Sequence, residues 1–63
     1  MGMFIVTHRT TESFYFGTES GLRMMPIGTP VMMTETAHEA RCKVVDGDGR
    51  TAWCDREWIE KIR

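Results

Sequence analysis

The sequence predicts an all-β domain of five short strands, with a 3-10 or helical turn before the last. Three observations point there. Residues that favour pleated backbone gather in short runs, Met3–Thr7, Ser13–Phe16, Val31–Thr34 and Ala40–Val45. Turn formers separate them: Gly17, Ser20-Gly21, Pro26 to Pro30, and Asp46-Gly47-Asp48-Gly49. Finally, 63 residues at 41% hydrophobic content make one domain, 1–63, with a thin core and no room for a deep private pocket.

Met3-Phe4-Ile5-Val6-Thr7 is β-branched and aromatic, and is expected as the first strand. Ser13-Phe14-Tyr15-Phe16 starts a long excursion with strand-like arms, broken at Gly17 and Ser20-Gly21. Pro26 and Pro30 cannot donate to a ladder, so they mark a turn or a sheet edge. Val31–Thr34 resumes as strand, polar Thr34–Glu39 is expected as a solvent loop, and Ala40–Val45 is strand again. The pairs Met24-Met25 and Met32-Met33 should point to opposite faces, leaving one of each pair outside. Near the end, Asp55 is a capping-type residue before Trp58, Ile59 and Ile62, spaced for one or two helical turns; a tight turn and a closing strand fit equally.

Asp46–Gly49 sets the register of a hairpin. A three-residue loop, Gly47-Asp48-Gly49 with Gly49 left-handed, places Asp46 opposite Arg50, Val44 opposite Ala52 and Cys42 opposite Cys54. An even-numbered loop would set Cys42 across from Trp53 and mix charge with apolar side chains on each face. Only the three-residue loop keeps Cys42, Val44, Ala52 and Cys54 together as small buried fillers, with Lys43 and Trp53 outside. The interior is expected to run from Phe4 to Ile62.

Eight Lys and Arg against nine Asp and Glu leave a net charge of −1, without the basic excess that draws a chain to phosphate backbones or anionic lipid. No apolar run approaches the roughly 20 residues of a membrane span, and Met1–Thr7 is too short and uncharged for a signal peptide, so a cytoplasmic protein is expected. Two cysteines are too few for a disulfide scaffold and should be reduced there. Zinc would need His8 and His38 to join Cys42 and Cys54 without paired spacing, so neither metal nor cofactor is expected. No Ser-His-acid order or phosphate-cradling glycine loop stands out. His38 and Cys42 straddle a loop and a strand, and no enzyme activity is expected.

This order of pieces resembles the Src-homology-3-like (SH3-like) small β-barrel, including bacterial SH3-like domains, over nearly the whole chain. The turn pattern Gly-acid-x-hydrophobic-x-hydrophobic is followed by Gly28-Thr29-Pro30-Val31-Met32-Met33, with Thr29 in place of the acid. Ala52-Trp53-Cys54-Asp55-Arg56-Glu57-Trp58-Ile59-Glu60-Lys61-Ile62 has the spacing of the family's last hairpin arm, turn and closing strand. The resemblance implies a five-stranded barrel with Met25, Val31, Met33, Val44, Cys54 and Ile59 in its core and Trp58 in place of the groove tyrosine. The Ala-Leu-Tyr-Asp-Tyr signature is missing, and Glu39 and Ala40 stand where a groove tryptophan belongs, so polyproline recognition is not implied. Type II dihydrofolate reductases build a pore from such barrels with Val-Gln-Ile-Tyr, to which Arg50-Thr51-Ala52-Trp53 does not correspond.

The expected function is a small non-catalytic protein-interaction module, of a kind that suits a bacterial or phage accessory protein binding a larger host protein. Its partner surface is expected around Tyr15, Trp53 and Trp58, since exposed aromatics are costly unless they cover a core or meet a partner. Met24 and Met32 add adaptable thioethers at the edge, which also suit a homodimer. Glu12, Glu19, Glu35 and Glu39 would form an acidic rim for a basic partner. The alternative is a nucleic-acid binder of Tudor or KOW type, using Arg41, Lys43 and Arg50 with Trp53 as a stacking platform.

Overall fold

The computed structural model describes residues 3–38 and 40–62. Seven strands follow in order: β1 (His8–Thr10), β2 (Phe14–Thr18), β3 (Gly21–Met25), β4 (Pro30–His38), β5 (Arg41–Asp46), β6 (Thr51–Asp55) and, after a 3-10 turn at Arg56–Trp58, β7 (Ile59–Lys61). The all-β expectation holds. Five strands form one antiparallel sheet in the order β6-β5-β4-β1-β7, and β2 and β3, the arms of the excursion, form a separate hairpin. Among the described residues the expected five-stranded closed barrel is not formed: seven strands make two sheets, β6 and β7 are unpaired edges of the larger one, and β1 pairs with its neighbours over only two or three residues.

Alternation along each strand assembles the core. Phe14, Phe16 and Met25 project from the hairpin onto Val31 of β4, Cys42 and Val44 of β5, and Ala52 and Cys54 of β6, all buried, with Met33, Trp58 and Ile59 packed against them. All six core positions implied by the resemblance lie in or against this cluster. Met25 is buried and Met24 exposed, as expected for opposed faces, whereas Met32 and Met33 are both half-buried, so neither is the exposed member expected of that pair.

The β5–β6 hairpin has the three-residue loop. Cys42 pairs with Cys54, Val44 with Ala52, and Lys43 with Trp53. Gly49 adopts φ +84°, a left-handed conformation that a Cβ would strain, and its N–H donates to the Asp46 carbonyl at 3.0 Å.

Three expectations fail. Met3–Thr7 is not strand, and Phe4 is exposed rather than in the core. The arm departs from the ladder upstream of Thr7, whose N–H still donates to the Val31 carbonyl: among the described residues the Ile5 N–H meets Met32 Sδ at 3.4 Å, and Phe4 lies near Gly47, lining a cleft with Met32 and Val45. Thr34–His38 continues β4 instead of forming a loop, pairing Glu35 with Lys43 and Thr36 with Cys42 across two register shifts. Glu39 lies outside the described residues. Asp55 stands at the N-cap of the 3-10 turn, as expected, but its side chain makes no capping hydrogen bond; its carboxylate instead lies 3.9 Å from Arg41 Nε.

Thr10 fastens β1 to the proline turn. Its buried hydroxyl donates to the Pro26 carbonyl and accepts from the Thr29 N–H, both at 2.8 Å, and its carbonyl accepts from Gly28 N–H. Gly28 meets that geometry at φ +88°.

Candidate partner-binding surface

Pairing in the β2–β3 hairpin sets Tyr15 opposite Met24 and Gly17 opposite Leu22, on the face away from Phe14 and Phe16. Tyr15 is 68% exposed, Met24 51% and Leu22 75%, and glycine in the fourth position leaves the patch unobstructed. Leu22 went unnoticed in the sequence. Its signal was period-2 alternation with Met24, visible once Gly17–Gly21 is read as a hairpin end.

Trp58 stands elsewhere. Its ring stacks on Phe14 at 5.1 Å between centroids and 25° between planes, half-buried against the core, where it closes the gap between hairpin and sheet. Trp53 projects from the outer face of β6 with the Lys43 ammonium 5.9 Å from its ring centre. Met32 lies on that sheet's outer face opposite Val45, where both help line a cleft with Met3 and Phe4 of the N-terminal arm. The five candidate side chains thus divide among the outer hairpin face, the core margin and the outer sheet face.

The charged candidates are dispersed. Glu12 precedes β2 and Glu19 follows it, so at about 3.3 Å per residue of strand they sit at opposite ends of the hairpin. Glu35 lies 3.8 Å from Lys43 Nζ. Arg41 faces Asp55, and Arg50 Nη1 bonds Asp48 Oδ2 at 2.9 Å. Each cation of the alternative nucleic-acid face therefore has a carboxylate beside it, which lowers the net positive field a phosphate backbone would meet.

No protein-family model, curated protein or solved structure matches the chain. The surface has to be read from its own chemistry. Behind the outer sheet face, burial and then the neighbouring Cys42 push the Cys54 thiol up to about 12, so it stays protonated at neutral pH and is no nucleophile. No helix among the described residues is long and apolar enough to cross a membrane.

Proposed function

We propose that the chain is a non-catalytic protein-interaction module of SH3-like architecture, which docks a protein partner on the outer face of the β2–β3 hairpin. The architectural part is supported by the order β6-β5-β4-β1-β7, by a central β4 that pairs with both β1 and β5, and by a 3-10 turn ahead of the closing strand.

One observation carries the functional part: Tyr15, Met24 and Leu22 are mostly exposed on one face while the opposite face of the same hairpin is buried. Three large apolar side chains in register form a contiguous patch, and such patches on small domains mark contact surfaces. Tyrosine supplies a rigid apolar ring with a polar tip, and methionine adapts to the partner's shape. Trp58 serves this surface from behind, by fixing the Phe14 side of β2.

The test compares proteins captured by the native chain with those captured by a Tyr15→Ser, Leu22→Ser, Met24→Ser triple variant, alongside sedimentation of both. A partner, or self-association, lost in the variant at unchanged melting temperature supports the reading. An unchanged set of partners and an unchanged sedimentation profile overturn it, as does salt-sensitive oligonucleotide binding that needs Arg41, Lys43 and Arg50.

A further inference from the structure

Burial falls away along the inner face of the sheet. Thr10, opposite Ile59, is buried; His8, opposite Lys61 one step further, is half-buried, and Lys61 is exposed. At this open end His8, Met33, Arg56, Ile59 and Lys61 line a cleft of about 380 Å³. Met33 and Ile59, which pack against the core, form its apolar floor. Its rim is cationic. No carboxylate is among these lining residues, and neither Arg56 nor Lys61 is in an ion pair among the described residues.

The imidazole is oriented. Thr7 Oγ1 accepts the Met33 N–H at 2.8 Å and lies 2.8 Å from His8 Nδ1. Its own hydrogen is free to donate to Nδ1, the arrangement in which neutral His8 carries its ring hydrogen on Nε2. Burial, then Lys61, then Arg56 hold the His8 pKa below its ordinary value, so the two cations act on this ring and the neutral form prevails at pH 7.

We infer that the cleft binds a phosphomonoester, with Arg56 and Lys61 on its oxygens, the His8 Nε2–H as a third donor, and its organic group on Met33 and Ile59. A phosphomonoester carries about −1.5 to −2 at pH 7, which matches two cations that make no ion pair among the described residues. A carboxylate would leave one of them unmatched. The guanidinium also offers the planar fork that suits two phosphate oxygens. This site is distinct from the hairpin patch, so each can fail without the other.

The experiment titrates the full chain with phenyl phosphate, inorganic phosphate and benzoate at low ionic strength, following the His8 ring and Ile59 methyl resonances. Phenyl phosphate should bind saturably and more tightly than benzoate, and inorganic phosphate should shift His8 but not Ile59. Arg56→Gln and Lys61→Gln should each weaken phenyl phosphate by about fivefold or more, as loss of a charge-assisted hydrogen bond implies. Arg9→Gln, on the opposite face of β1 across from Glu60, should not. A phosphotyrosyl peptide that binds more tightly than phenyl phosphate points to a protein side chain as the source, and equal affinity to a free small molecule. The inference is overturned if His8 does not move at millimolar phenyl phosphate, if benzoate binds as tightly, or if Arg9→Gln weakens binding as much as the cleft variants. The native-chain resonances decide the matter even if a variant fails to fold.

Discussion

Cys42 on β5 and Cys54 on β6 stand directly opposite each other, both fully buried, with their sulfurs 3.9 Å apart. Neither thiol should react with iodoacetamide in the folded protein at pH 8, and both should react in denaturant. The raised pKa also sets an alkaline limit. In the unfolded chain Cys54 ionises near pH 9, while in the fold it ionises only near about 12, so its contribution is full below pH 9 and is lost as pH rises through that window. Guanidinium midpoints should fall between pH 8 and 10.5, and Cys54→Ala should reduce the fall. An equal slope in that variant would assign the loss to other groups.

Asp46 holds the hairpin turn, its Oδ1 accepting the N–H groups of Asp48 at 3.0 Å and Arg50 at 2.9 Å. Asp46→Ala should cost about 1 kcal/mol in chemical denaturation, and Asp46→Asn less, since an amide oxygen can still accept. Equal losses would show that charge, not acceptor geometry, matters at this turn.

Thr10→Val keeps the shape of a buried residue but removes the hydroxyl that serves Pro26 and Thr29. The expected cost is about 1–3 kcal/mol, because the Thr29 N–H loses its acceptor, while the Pro26 carbonyl still accepts from the Thr29 hydroxyl. In a domain whose whole stability is on the order of 3–9 kcal/mol, that should lower the melting temperature sharply. A melting temperature unchanged from the native chain would mean that water replaces the hydroxyl.

His8 predicts an acid response. Its folded pKa lies below the unfolded value, so the protein gains from a neutral ring above about pH 6.5 and loses that gain as pH falls through the folded pKa. Melting temperature should decline from pH 7.5 to 5, and His8→Gln should flatten that part of the curve. Phosphate ester, if bound at the cleft, should oppose the decline in the native chain.

Substitution at the outer hairpin face should leave the fold alone. Tyr15→Ser removes a ring that is 68% exposed, so its effect on stability is expected within about 0.5 kcal/mol. A larger loss would mean that the ring packs on its own domain, and would weaken the case for a partner there.

The parts of this protein that were legible in advance are local. The register of Cys42 on Cys54 follows from a three-residue loop and a period of two, so the consecutive residues from Cys42 to Cys54 contain everything needed to derive it. The opposed faces of Met24 and Met25 are legible for the same reason. Met3–Thr7 and Thr34–His38 depart from their local propensity because strand formation depends on a partner backbone. The apolar arm leaves the ladder beside β4, with Phe4 near Gly47, whereas the polar stretch keeps β5 beside it.

The candidate surface divides along the same line. Composition alone showed that aromatics and methionines exceed what so thin a core absorbs, but not which of them lie outside. Tyr15 and Trp58 both read as surface aromatics, and packing sent one outward and stacked the other on Phe14.

By itself, then, the sequence determined an all-β chain, its turns, and the inward and outward alternation of its last hairpin, because these depend on backbone preferences within a few residues. Only the tertiary structure decided which strand edges find partners, and that His8, Arg56 and Lys61 meet around Met33 and Ile59. Those residues lie on segments separated by most of the chain, and only the antiparallel return of β7 onto β1 brings their charges to one cleft.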